Sequence, residues 1–392
     1  MMFLALPTGA SHGWGIVGMG VAREMERLAP GQVRLVTQAF TADSVGDELV
    51  YRELAALQPK PGDAAHWRVV NGVTMLEAPL LTCATDKQFS SLSPNLRGTR
   101  TICHAVFEEN ILQSAWLDNA RRQYNFIATA STWCTQVLAD YGMTDAQTVI
   151  QGIDPRLFFP LPADLADAAR EFLRDKFVIF SGGKFEYRKA QDVVIRAVKV
   201  MQDRHADVIL INAWFNPWQS SFDSMKRSPH LSWPGVSGPY TEVMNRVLAH
   251  NGMDVARVIT LGPRTNALMA RIYRNSDVGL FPNRCEGGTN LVMMEYMGCG
   301  KPVVATASCG HADVIRPENA FVIGTPTEAI FSGPEGPLAR WPEPSLDDTV
   351  EKLEQAYKHR DTLAVKGKQA GEDLKQFTWG HTARRFMELM RQ

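Results

Sequence analysis

One feature constrains this chain most: short apolar runs alternate with helix-period segments, twice over, with a proline-rich break between. In the first series FLALP (3–7) leads into a glycine-rich turn and the helical pattern GVAREMERL (20–28). VRLVTQAF, WRVVNGV, TRTICHAVF, NFIATAS and TVIQG read as further strands or strand ends, with helical patterns such as WCTQVLADYG between them. A strand followed by a helix returns the chain to the same end of a sheet. The alternation therefore predicts a mostly parallel sheet with helices on both faces. IDPRLFFPLPAD carries three prolines and no period, so residues 153–170 read as a linker. A second series follows: FVIFSGG (177–183), AQDVVIRAVKVM, DVILINAWF, VITLGP, TNALMARIYRN, DVGLFPN, KPVVAT and AFVIG. The fold class is thus α/β, two doubly wound domains in tandem around a cleft. Ligands in such sheets sit at the carboxyl ends of the strands. Two stretches break the rhythm and read as inserted loops: 214–240, rich in Trp, Pro and Ser, and 325–345. Long loops of this kind are as often excursions as functional parts. The amphipathic GHTARRFMELMRQ closes the chain.

Length and charge narrow the function classes. At 392 residues the chain suits two domains of ordinary size. A formal net charge of −1 offers no basic surplus for nucleic acid or for strong attraction to anionic lipid. A hydrophobic membrane patch leaves no trace in a charge count, so peripheral contact with a membrane stays open. The six cysteines, at 83, 103, 134, 285, 299 and 309, form no C-x-x-C pair and no metal-ligand spacing. They read as reduced, packed thiols. MMFLALPTGASHGWG lacks a basic n-region and reads as a first strand rather than a signal peptide. No run of 18 apolar residues offers a membrane span. The expectation is a cytoplasmic protein, or one peripheral to the inner face of the membrane.

Three stretches carry chemistry. In RCEGGTNLVMMEYMGCGKPVV (284–304), a glycine-rich turn opens a helix, with Glu286 before it and Glu295 within it. Thr289 or Asn290 would be the N-cap, leaving the amides of Thr289, Asn290 and Leu291 facing the cleft. Such amides bind anions, and Gly287 and Gly288 would let a ligand approach the backbone closely. Alone, the stretch reads equally as a helix start with solvated acids. In SGGKFEYRKAQD (181–192), a strand ends at Gly182-Gly183 and Lys184, Arg188 and Lys189 follow. Cations at the mouth of a cleft suit a departing diphosphate. A solvated basic turn is the competing reading, above all for Arg188. In GASHGWGIVGMG, Gly13, Gly15 and Gly18 fit a dinucleotide-binding spacing, but no acid ends the second strand to take a nicotinamide ribose.

Together these pieces resemble the retaining glycosyltransferases of family four, whose fold is GT-B, two Rossmann-like domains facing a cleft. FIATASTWCTQVLADYGM resembles that family's strand–serine–helix segment, and VIQGIDPRLFFP its interdomain signature. SGGKFEYRKAQD resembles its G-R-L-x-x-x-K-G loop. LGPRTNALMARIYRNSDVGLFPNRCEGGTNLVMMEYMGCGKPVVAT resembles its donor site. The resemblance implies an acceptor-side domain over 1–165, a nucleotide-sugar domain over 166–377, and a C-terminal helix at about 378–392 that returns to the first. It implies that Lys184 and Lys189 hold a donor diphosphate and that Glu295 binds the ribose. The Gly287, Gly288, Thr289, Asn290 and Leu291 turn would carry the phosphate-binding backbone. Gly183 would belong to the diphosphate loop, and Gly262, Pro263 and Arg264 would lie by the base. Gly13 and Gly15 fall on the glycine loop of the first domain. His104 falls near the family's histidine beside the reacting sugar, where a structural strand-end histidine competes equally. The implied reaction moves a sugar from a UDP-, GDP- or ADP-linked donor to an acceptor hydroxyl in glycan or glycoconjugate biosynthesis. No cofactor is implied. No Asp-x-Asp ends a strand, so no metal is expected.

The chain departs from the family in places. Glu286 and Glu295 are nine positions apart where the family has eight, so Gly287 stands in the first glutamate's place; either an extra loop residue lets Glu286 still reach and orient the donor sugar, the role the resemblance implies for it, or that contact is changed. Lys184 replaces an arginine and keeps its charge without its bidentate fork. An epimerase or phosphorylase on the same fold, or a non-catalytic sugar-binding module, are the alternatives.

Overall fold

Strands buried along their whole length need cover on both faces, and FVIFSG (177–182) and VVAT (303–306) are buried at every residue. The computed structural model, which describes residues 1–84, 86–162, 173–235 and 237–392, supplies that cover. The first sheet contains β1 (Met2–Ala5), β2 (Val33–Leu35), β3 (Leu80–Cys83), β4 (Thr101–Ala105), β5 (Phe126–Thr129) and β6 (Gln147–Thr148). It runs β2-β1-β3-β4-β5-β6, all parallel. The second contains β7 (Phe177–Gly182), β8 (Val208–Ala213), β9 (Val258–Thr260), β10 (Val278–Phe281), β11 (Val303–Thr306) and β12 (Ala320–Ile323). Its order is β9-β8-β7-β10-β11-β12, again all parallel. The strand order reverses between β7 and β10, so the crevice of this sheet opens at their carboxyl ends. The domain boundary expected at 165/166 lies outside the described residues.

The helices that place the site are α1 (Gly13–Leu28), α2 (Thr132–Asp140), α3 (Gln191–Arg204), α4 (Leu291–Gly298) and α5 (Trp379–Arg391). The last of these buries Trp379, Phe386, Met387 and Met390 in the core of the first domain. Gly20 makes this docking feasible, since a Cβ there would stand 2.5 Å from the Trp379 indole. The chain crosses between domains at Gly152, whose position leaves no room for a side chain against Thr378.

Three sequence expectations change. WRVVNGV does not join the first sheet. It forms an antiparallel hairpin, Trp67–Val70 with Val73–Leu76, in a separate three-stranded sheet. Asn71 and Gly72 turn it with φ of 50° and 77°, as a two-residue hairpin requires. Residues 214–240 are no simple loop: Trp214, Phe222 and Met225 are buried in the second core, and Trp214 Nε1 donates to Ser181 Oγ at 3.1 Å. Residues 325–345 form a β-hairpin, β13 (Thr327–Gly333) with β14 (Gly336–Glu343). It belongs to the second domain and reaches the first. Ile111 N donates to Leu338 O at 3.0 Å, Trp341 Nε1 to Glu108 O at 2.7 Å, and Asn110 pairs with the Arg340 backbone in both directions at 2.9 Å. Its root is held by Arg284, wholly buried between Asp192 (2.8 Å) and Glu343 (2.7 Å) with its guanidinium over the Tyr187 ring. No helix among the described residues is long and apolar enough to cross a membrane.

Candidate functional site

Three glycine-bearing segments meet at the crevice between β7 and β10. A Cβ on Gly182 would stand 2.6 Å from Val292, so the end of β7 lies directly against the first turn of α4. Gly183 follows at φ +108°, a conformation that favours glycine. Asn290 is the N-cap of α4, in the left-handed region at φ 63°, and its side chain accepts from Met293 N at 3.4 Å. Leu291 and Val292, as the first residues of the helix, have N–H groups with no intrahelical acceptor. Across the cleft, Leu291 Cδ1 lies 3.9 Å from where a Cβ on Gly13 would stand, at the start of α1. The starts of α1 and α4 therefore lie close together across the cleft, and free N–H groups at the start of α4 suit an anion.

The charges gather behind this turn. Glu286 is 5% exposed, and Lys189 and Asn283 both bond to its Oε1. Burial pushes its carboxyl up, but Lys189 and Arg188 outweigh it and hold the pKa at about 2. The stem of Lys189 passes beneath Gly183, with Cε 3.4 Å from a Cβ position there. Arg188 does not lie in a solvated basic turn. Its guanidinium bridges Glu186 (2.7 Å), Glu286 (3.1 Å) and Glu108 (3.4 Å), drawing one carboxylate from the first domain and two from the second. Lys184 is different again. Its side chain is 37% exposed, 3.6 Å from Glu186 and 4.9 Å from the centre of the Trp218 ring. Of the two lysines, Lys184 is the one presented to the cleft.

Glu295 lies one turn into α4, 6% exposed. Its Oε1 accepts from Asn266 Nδ2 at 3.0 Å and its Oε2 from Tyr273 Oη at 3.1 Å. Burial raises its pKa to about 8, against the pull of those two bonds. His311, unremarked in the sequence, sits behind the turn with no exposure. Nδ1 bonds Thr306 O at 3.1 Å, which makes Nε2 the acceptor for Asn290 Nδ2 at 3.1 Å. Burial lowers its pKa to about 4, so the ring is neutral near pH 7 and can accept. His311 thereby fixes the N-cap that orients α4.

Several expected positions serve packing instead. His104 is fully buried in β4, between Trp14 and Phe386, and bonded to Ala128 O and Gln151 Nε2, both at 3.2 Å. It is a core histidine, not a group facing the cleft, and burial lowers its pKa to about 4. A Cβ on Gly15 would stand 2.2 Å from Gly9 O, so this glycine admits the neighbouring loop rather than a ligand. Gly287 likewise admits the other domain: a Cβ there would lie 2.1 Å from Phe107 O. Its carbonyl accepts from Ser131 Oγ (2.6 Å) and Cys134 Sγ (3.0 Å) on α2 and its cap. Thr289 turns its hydroxyl back to Met294 Sδ at 2.9 Å. Gly288 keeps ordinary clearance from Gln151 and Ala130. Gly262, Pro263 and Arg264 form the open loop after β9, where Arg264 Nη1 folds onto Pro263 O at 2.9 Å. Among the described residues no group of three or more His, Cys, Asp or Glu could hold a metal ion.

Comparison with known proteins places this arrangement. Residues 176–332 match the family model described as glycosyl transferases group 1. The chain is 26% identical over 261 residues to D-inositol 3-phosphate glycosyltransferase of Gordonia bronchialis, covering 65% of this chain and 49% of that one. It is 27% identical over 257 residues to the enzyme of that name in Stackebrandtia nassauensis, covering 63% and 49%. The chain thus spans about half the length of these curated relatives. Among solved structures, sucrose-phosphate synthase of Thermosynechococcus elongatus superposes with a TM-score of 0.66 at 15% identity, over 100% of this chain and 98% of that one. The Anabaena protein Alr3699/HepE, in complex with UDP-glucose, gives 0.64 at 13% identity, over 100% and 99%. Those likenesses establish the GT-B fold, and residues 176–332 resemble the group 1 glycosyltransferases.

Proposed function

We propose that this chain transfers a sugar from a nucleoside-diphosphate sugar to an acceptor hydroxyl, with retention of anomeric configuration. One observation carries the reading: at the switch point of the second sheet the Gly182-Gly183 end of β7 meets the first turn of α4, whose N–H groups lack intrahelical acceptors, and the partly exposed Lys184 follows directly. A diphosphate carries the charge and the reach to meet all three. Fixed donors of this kind stabilise negative charge as it grows on a leaving group. The buried Lys189–Glu286–Arg188 cluster holds the turn rigid behind the phosphates. Glu295 sits where it can take ribose hydroxyls. The acceptor hydroxyl attacks from the face the diphosphate leaves, with a leaving phosphate oxygen taking its proton. Several structural neighbours hold UDP or UDP-glucose, which puts uridine nucleotides first among donors to test. The names of the curated relatives put a cyclitol phosphate first among acceptors.

The test is thermal shift with UDP, GDP, ADP and their sugar conjugates, since a ligand that binds only the folded state raises its melting temperature. The donor so found is then supplied with an acceptor panel and the product anomer read by NMR. An inverted product from an α-linked donor overturns the mechanism. Conversion of the donor to an epimer without acceptor overturns transfer itself.

A further inference from the structure

The Trp218 indole is held out of the core by a segment otherwise built to bury its aromatic residues. It is 45% exposed, whereas Trp214 and Phe222 on either side are buried. The exposure is fixed in place by buried Asn216. Its Nδ2 donates to Phe185 O (3.0 Å) and Ser221 Oγ (3.1 Å), and its Oδ1 accepts from Trp218 N at 3.0 Å. The ring thus stands at the mouth of the cleft. It is near-parallel to His12 of the first domain, with 6.3 Å between ring centres and 25° between planes. The Lys184 ammonium lies 4.9 Å from its centre. His12 caps α1, whose Gly13 faces Leu291 of the anion turn.

We infer that Trp218 is the platform on which the ring of a sugar acceptor stacks, opposite His12. The inference rests on the donor reading above. A sugar ring offers a face of C–H groups to an indole and keeps its hydroxyls at the rim, where His12 can reach them. Lys184 imposes an order. Before a donor arrives, its ammonium lies over the indole by cation–π attraction. A diphosphate is the stronger partner for that charge and draws it away, baring the aromatic face. The acceptor therefore binds after the donor.

Steady-state kinetics of the full chain test this with Trp218→Ala and Trp218→Phe. Trp218→Ala is expected to raise acceptor KM about tenfold, with donor KM within twofold, and Trp218→Phe to fall between. An unchanged acceptor KM overturns the assignment. A rise in donor KM alone also overturns it, by giving the indole to the nucleotide. A second measurement needs no turnover. The indole N–H resonance of Trp218, identified by its loss in Trp218→Phe, is followed by NMR during titration with methyl pyranosides. It is expected to shift with the preferred nucleoside diphosphate present and not without it. No shift with any pyranoside overturns the platform, and an equal shift in both overturns the order. A wild-type chain that no nucleoside diphosphate stabilises refutes the donor reading first, and this inference falls with it.

Discussion

Glu295→Gln offers the clearest test of the site's electrostatics. The native carboxyl holds its proton to about pH 8, while the ordinary value is 4.5. A group whose pKa is raised on folding contributes fully below its unfolded value and loses that contribution as pH climbs through the folded one. Between pH 4.5 and 8 the unfolded chain gives up a proton that the native chain keeps, so wild-type stability declines by about 1.4 kcal/mol per pH unit. By pH 7 the loss is about 3 kcal/mol, and it levels off above pH 8. Glutamine is the isostere of the protonated acid. It can still accept from Asn266 and can donate to Tyr273, and it has nothing to ionise. Calorimetry of both proteins from pH 5 to 9 is the assay. Near pH 5 the two melt together. By pH 7 the variant is expected to melt roughly 6–12 °C higher, at about 2–4 °C per kcal/mol for a domain of this size. A constant difference across the range, or a variant less stable at pH 8, refutes the neutral-acid account of Glu295.

Gly287→Ala places a methyl where Phe107 O stands 2.1 Å away, so the domains cannot meet at the donor turn. Each domain is expected to stay folded by circular dichroism while transfer falls at least a hundredfold; near-normal turnover would disprove the close approach. Arg284→Leu leaves Asp192 buried without its partner, and urea unfolding should show a loss of about 3–5 kcal/mol. His311→Phe removes the acceptor for Asn290 and the donor to Thr306 O. Donor KM should rise about tenfold, from a cost of about 1–3 kcal/mol for each buried group left unpaired, and an unchanged KM would show that the N-cap holds without it. Lys184→Ala should weaken nucleoside diphosphate binding more than Arg188→Lys does at matched stability, measured by calorimetric titration; the reverse ranking would make Arg188 the diphosphate ligand.

The parallel sheets were legible because a buried strand and an amphipathic helix each impose a period on a few consecutive residues. What escaped depended on partners far away in the chain. WRVVNGV has the composition of a strand, but nothing local states which sheet it joins. The β13–β14 hairpin was hidden by Pro337 and Pro342, which suppress strand propensity but are tolerated in a two-stranded ribbon, where both strands are edges. Nothing local told Arg188 from a solvated charge, because its three carboxylates come from positions 108, 186 and 286. The glycines of the donor turn were recognised as points of close approach, but the approaching group at Gly287 is the other domain's backbone. His311 gave no signal, since its role lies in one hydrogen bond to an asparagine 21 residues away.

The β13–β14 hairpin also sets how the molecule can breathe. It ties one flank of the two lobes through Asn110, Ile111 and Glu108, while the terminal helix rivets the back of the molecule through Trp379 and Phe386. Any opening of the crevice along that flank must first break these hydrogen bonds.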